Sequence, residues 1–329
     1  MQDNLVNLDE FQLSDEELFA HYENDMAESE KITAPRYSYW KSVLRVFFRK
    51  KSNIFFLSVL ALVILFSYVY PLIIHYNADV DPWKYLLDPT SKHLSPSAAI
   101  SKYGFSIHWL LGSGDQGQST FDAVWYGSGI SISLALVCAA INMIIGVLLG
   151  AVWGFSKRMD VIMNEIYNIV GNVPYILLIS VLVRVLTASF WTMVFALTVT
   201  GWIGIAYFIR TQVIIIRDRE YNLASRCLGT SIFRIALRNI LPFMTSIIVT
   251  LIATEIPSYI SYEVFLSYIG IGMPDMTLGK MIEMTQPYMF VKQWGFEFWS
   301  PVIIASIIAV VLYIVGQNLG DASDPRTHM

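Results

Sequence analysis

Six apolar runs divide the chain, at residues 54–74, 130–155, 162–186, 190–209, 243–267 and 299–316. At 1.5 Å per residue, about 20 residues cover the roughly 30 Å hydrocarbon core of a bilayer. Lipid offers no partner to backbone N–H and C=O groups, so each run is predicted helical despite its glycines and β-branched residues. No run alternates with period two over its length, which excludes a transmembrane β-barrel. The pattern predicts an all-α, polytopic membrane protein with six transmembrane helices. Pro174 and Pro257 fall inside runs and are expected to kink them.

Basic residues gather at alternate ends of these runs. Arg45, Arg49, Lys50 and Lys51 precede the first run, Lys157 and Arg158 separate the second and third, and Arg210, Arg226, Arg234 and Arg238 lie between the fourth and fifth. The positive-inside rule puts all three sites in the cytosol together with both termini. Residues 76–126 and 268–298 then lie outside, their few lysines balanced by Asp79, Asp81, Asp88, Asp115, Glu283 and Glu297. The predicted map is a cytosolic tail, acidic then basic, over 1–43, and a first transmembrane helix with its basic leader over 44–75. An extracytoplasmic loop follows over 76–126, then a core of five transmembrane helices over 127–319 and a cytosolic tail over 320–329. The core includes a cytosolic loop at 217–242.

Composition sharpens this reading. Hydrophobic residues make up 55% of the chain and charged ones 15%, with a mean hydropathy of +0.53, a balance foreign to soluble domains. The first run begins past residue 50, behind a long charged leader, which argues against a cleavable signal peptide. Within that leader, Ser14-x-x-Glu17 followed by Leu18, Phe19 and Tyr22 fits either a solvated tail or a capped amphipathic helix that docks on a cytosolic partner. Cys138 lies in a run and Cys227 in a loop, so there is neither a disulfide framework nor a zinc-binding spacing.

The segment from Glu220 to Pro242 is a polar, basic island between apolar runs. It reads as two short helical pieces hinged at Gly229, with Thr230-Ser231 capping the second and Pro242 closing it. It resembles the cytoplasmic loop of permease subunits of binding-protein-dependent ABC importers, and in particular the peptide branch, which reads Glu-Tyr-x-x-Ala-Ala-Arg-x-Leu-Gly. Glu220, Tyr221, Ala224, Arg226, Leu228 and Gly229 match in register, Ser225 stands for the second alanine, and Leu241-Pro242 ends the motif.

A second resemblance covers the first run. Phe48-Arg-Lys-Lys-Ser-Asn53, leading into a helix that ends at Pro71-Leu72-Ile73, is similar to the N-terminus of the dipeptide/oligopeptide permease C subunit. The outer segment His108-Trp-Leu-Leu-Gly112 through Gly117 is similar to that subunit's loop, with Gly114, Gln118 and Ser119 replacing three of its charged residues. Tyr126-Gly127, Val173-Pro174, Gly201-Trp202, the run from Glu263 to Gly272 and Asp324-Pro325-Arg326 continue the match in order, over residues 47–326 in all.

The resemblance implies the type I ABC importer permease fold in a bacterial inner, cytoplasmic membrane. It implies as partners a homologous second permease, two cytosolic ATPase subunits that use ATP and Mg²⁺, and an extracytoplasmic peptide-binding protein. Glu220, Tyr221, Ala224, Ser225, Arg226, Leu228, Gly229, Phe233, Leu241 and Pro242 would form the ATPase-coupling loop. The alternatives are a permease of the same fold for nickel or another small solute and, in a different class, a secondary transporter. No Walker-type loop, His-Glu-x-x-His or Gly-x-Ser-x-Gly motif occurs, so the chain is expected to be a non-catalytic subunit without a cofactor, and no nucleic-acid partner is implied.

Three features inside the runs admit two readings each. Gly146, Gly150, Ala151 and Gly154 make a small-residue face suited to close helix packing, with a direct substrate role as the other reading. Glu255 and Glu263 are costly in lipid, so they either hydrogen-bond within the protein or line the pathway. Arg184 either snorkels to the interface or binds a peptide carboxylate.

Overall fold

A computed structural model describes residues 38–77 and 89–324. The Ser14/Glu17 leader, Asp79, Asp81, Asp88 and Pro325-Arg326 lie outside the described residues. The chain divides into two compact units, Met1–Ser42 and Val43–Met329, and only the start of helix α1 is described in the first.

Among the described residues every regular element is helical, apart from an isolated bridge between Ser113 and Ser119. Amphipathic α1 (Tyr39–Arg49) leads into α2 (Lys51–Ile73), which passes through a π turn at Leu65–Val69. A short α3 (Pro96–Tyr103) precedes the long α4 (Thr120–Phe155). Then come α5 (Lys157–Gly171), α6 (Tyr175–Leu186), α7 (Phe190–Arg217), α8 (Glu220–Cys227), α9 (Ile232–Tyr268), α10 (Leu278–Thr285) and α11 (Gly295–Ala322). Five of them, α2, α4, α7, α9 and α11, are long and apolar enough to cross a membrane, and the bent pair α5–α6 makes a sixth when taken as one span. This agrees with the six predicted runs.

The long central helix α4 owes its place to small side chains. A Cβ on Gly150 would lie 2.5 Å from the Ala206 carbonyl oxygen, and one on Gly146 or Gly154 would lie 2.7 Å from side-chain atoms of Ile205 or Val213. Only hydrogen fits there, so α4 and α7 meet backbone to backbone and gain dense van der Waals contact, the main attraction available between helices in lipid. The small-residue face is therefore a packing face, and it packs within this chain.

Several local expectations change. The third run is not one helix: α5 and α6 meet at 77° across Asn172–Pro174. Pro174 supplies no N–H and pushes Val173 away from helical geometry, so the ladder stops there. Pro257, by contrast, sits inside α9 without interrupting it. Pro242 does not close the second helical piece either. The helix passes it through a π turn at Ala236–Ile240 and a 3₁₀ turn at Leu241–Met244, which absorb the missing donor, and continues to Tyr268. Helix α4 starts at Thr120, ten residues ahead of the second apolar run, because Ser119 accepts the Asp122 N–H as N-cap.

Antiparallel passage gives the bundle two distinct ends. At one, Lys50, Ser246, Asp321 and Asp324 line a cavity of about 520 Å³, so the start of α2, the base of α9 and the end of α11 lie together beside the island. At the other, His93 reaches Glu297 at the start of α11, with 2.7 Å between Nδ1 and Oε1.

Candidate functional site

Helix α8 starts at Glu220, whose carboxylate suits the positive end of the helix dipole. It ends in a Schellman motif: the Thr230 N–H bonds the Ser225 carbonyl at 3.1 Å and the Gly229 N–H bonds that of Arg226 at 2.9 Å. The motif needs a left-handed residue, and Gly229 supplies it at φ +78°. The space beyond its Cα is open, so backbone conformation, rather than crowding within this chain, demands glycine. Ser231 then caps the next turn by accepting the Arg234 N–H, as its place in the sequence predicts.

The elbow has an anchored inner side and an exposed outer side. Asn222, fully buried, donates to the Ile216 carbonyl at 3.0 Å and accepts from Asn239 at 3.3 Å, tying α8 both to the end of α7 and to the π turn of α9. Ile235, Ala236, Ile240 and Met244 join Val147, Ala151 and Phe155 of α4 and Ile209, Val213 and Ile216 of α7 in one buried cluster. Outside stand Leu228 at 85% exposure and Phe233 at 57%, with Tyr221 and Ala224 beside them. Arg226 is exposed and holds its guanidinium over the Phe155 ring at 5.3 Å. The Ser225 hydroxyl turns back to the Tyr221 carbonyl, while Leu241 is half-buried and Pro242 exposed at the far end.

Two features here went unread in the sequence. Asn222 is one. The other is a polar knot in which Asp160 of α5 accepts from Arg210 Nε of α7 at 2.5 Å and from the Trp153 indole at 2.8 Å, with Arg210 also facing the Trp153 and Tyr207 rings. Arg210 entered the sequence reading only as a marker of sidedness, and no local signal paired it with Asp160, 50 residues away.

The two glutamates of α9 part company. Glu263 is fully buried at the other end of the bundle, where it accepts hydroxyl hydrogen bonds from Ser131 at 2.9 Å, Ser267 at 3.0 Å and Thr277 at 2.5 Å. A Cβ on Gly279 would come within 2.7 Å of its Oε1, so the pocket is closed around the carboxyl. The cluster clasps α4, α9 and the start of α10. Glu255 is half-buried near the middle of α9, one turn before Tyr259, whose hydroxyl accepts from Asn142 at 2.5 Å. Arg184 stands exposed in the last turn of α6.

Residues 142–329 match the family model described as binding-protein-dependent transport system inner membrane component, and residues 38–96 match the N-terminal TM domain of oligopeptide transport permease C. The chain is 41% identical to the oligopeptide transport system permease protein AmiD of Streptococcus pneumoniae, over 95% of this chain and 98% of that one. It is 32% identical to the oligopeptide transport system permease protein OppC of Bacillus subtilis, over 91% and 93%, and 33% identical to the dipeptide transport system permease protein DppC of the same organism, over 72% of each.

Proposed function

The chain belongs to the family of binding-protein-dependent transport system inner membrane components, and from that premise we propose that it is the C-type permease subunit of an ATP-driven importer of oligopeptides or dipeptides. The peptide assignment is supported by the names of the similar permeases from Streptococcus pneumoniae and Bacillus subtilis. In this reading a homologous second permease completes the pathway across a bacterial cytoplasmic membrane. Two cytosolic ATPases consume ATP with Mg²⁺, and an extracytoplasmic binding protein delivers peptide. Both termini and the island face the cytosol, consistent with the basic residues at that end.

One observation carries the mechanism: an elbow rigid on its inner side holds Leu228 and Phe233 out from the bundle. Apolar side chains so exposed at the end of a span mark a contact surface, and a groove on an ATPase is the occupant proposed here. Because Asn222 and the buried cluster fix the elbow to α4, α7 and α9, a movement imposed on it is passed to the spans as a rigid-body displacement. Nucleotide binding thus biases a two-state equilibrium of the bundle, and the phosphate chemistry stays on the partners.

Gly229→Val tests this reading in the reconstituted five-subunit system. Forcing a β-branched residue to φ +78° costs about 1–2 kcal/mol locally. Such a change opens the elbow while the spans still insert. Peptide uptake is expected to be abolished and peptide-stimulated ATP hydrolysis uncoupled, with the membrane level of the chain unchanged. Wild-type uptake with hydrolysis still coupled would remove the elbow from the mechanism.

A further inference from the structure

Ten residues separate Thr245 from Glu255, so the carboxylate sits roughly 15 Å along the regular part of α9, near mid-membrane for a span of this length. There a carboxylate that is only half-buried has to face water or another polar group, since contact with acyl chains is costly. Its surroundings are not a closed clasp like that of Glu263. Tyr262, two turns on along the same face of α9, is 36% exposed. The Tyr262 ring lies 5.4 Å from Tyr175 and 6.2 Å from Tyr259. Tyr259 is four residues on from Glu255, one turn along the same face of α9.

Two of the three tyrosines are held by hydrogen bonds. Tyr175 opens α6 directly after the 77° break and donates its hydroxyl to the Leu197 carbonyl at 2.9 Å. The Tyr259 hydroxyl is fixed by Asn142 on α4. The result is one carboxylate near three aromatic rings, two of them fixed by hydrogen bonds, where α6 meets α9 after the 77° break. A carboxylate offers charge-assisted hydrogen bonds and ring faces attract cations, and together they select a primary ammonium over an anion or a neutral group.

Building on the importer reading, we propose that Glu255, with Tyr175, Tyr259 and Tyr262, is a waypoint that takes the ammonium group of a peptide in transit. The ammonium comes from the peptide amino terminus or from a lysine side chain. Because the site is half-open and holds its ligand through a single carboxylate, a peptide can enter it and leave again.

The test compares uptake of three probes by the reconstituted complex: a lysine-free pentapeptide, its N-acetylated form, and the N-acetylated form with one lysine. Wild-type and Glu255→Gln complexes are measured with the same binding protein, so its own preference cancels when the two free-to-acetylated ratios are divided. The ratio is expected to fall about tenfold in Glu255→Gln. A matching fall for the acetylated lysine peptide identifies the side chain as a second source of the ammonium, whereas no fall for it restricts the site to the amino terminus. Equal loss for all three probes would overturn the proposal, since it would mean that Glu255 supports the fold or pairs with the second permease. Tyr262→Leu, at the exposed rim, provides an independent variant if Glu255→Gln fails to assemble. It should lower the same ratio about threefold through the lost ring face, and an unchanged ratio would also overturn the proposal. Failure of the importer reading itself looks different, because wild-type complexes would then take up none of the probes in an ATP-dependent way.

Discussion

The two halves of α4 are held to the rest of the bundle by different physics. Toward the island, Gly146, Gly150 and Gly154 press the helix onto α7 with no room for a side chain, so the contact depends chiefly on shape. Toward the opposite end, the same helix turns polar. There Asp122 bonds Tyr70 at 2.6 Å and His108 at 2.8 Å, Ser133 meets Tyr68 at 2.9 Å, and Ser131 feeds the buried Glu263. His93 adds a further tie to Glu297 and stacks on Trp294 with 4.2 Å between ring centroids. A shape-fitted contact has few directional bonds to break, here the Arg217 bond to the Gly154 carbonyl at 2.9 Å and the Trp153–Asp160–Arg210 knot, so it can be displaced as a unit. A set of directional hydrogen bonds holds a fixed geometry and costs more to distort. The half that adjoins the elbow is thus suited to transmit movement, and the hydrogen-bonded half to stay in register.

Overfilling the shape-fitted half should give the largest effect. Gly150→Leu drives a branched side chain against the Ala206 carbonyl, which no rotamer change relieves. A loss of at least about 3 kcal/mol is expected, read as a collapse in the yield of monodisperse chain and in its detergent melting temperature. A normal melting curve would mean that this contact is not held by shape. The hydrogen-bonded half should break next. Glu263→Ala leaves the Ser131, Ser267 and Thr277 hydroxyls without their acceptor in a sealed space, at a cost of about 2–3 kcal/mol. Glu263→Gln keeps an acceptor oxygen and should recover much of that stability. If alanine and glutamine destabilise equally, charge rather than hydrogen bonding is what the clasp requires. The smallest effect tests the elbow. Ser231→Ala deletes one N-cap at an exposed position, so about 1 kcal/mol of local stability is lost, visible as faster amide exchange at Arg234 with the spans unaffected.

These halves were unequally legible in the sequence. The island could be read because each of its devices is local: Gly229 and Ser231 fix a turn through bonds spanning at most five residues. The glycine face of α4 was likewise readable as a packing face from its spacing of four. Its partner was not, since nothing in that spacing distinguishes α7 of this chain from a helix of another subunit. Pro174 and Pro257 show the limit from the other side. The same residue type breaks one span by 77° and leaves the other continuous, because surrounding packing decides whether a freed carbonyl is accommodated.

The sequence by itself determined the number of apolar spans, the position and turn chemistry of the elbow, and the cost attached to each intramembrane carboxylate. Those properties follow from hydropathy and from bonds between near neighbours. Only the tertiary structure decided which carboxylate is sealed and which stands half-open, that Asp160 meets Arg210, and that Asn222 anchors the elbow. Glu263 and Ser131 are 132 residues apart, and His93 and Glu297 are 204 apart. Pairings at that separation carry no periodic signal along the chain, since they exist only once packing has brought the helices together.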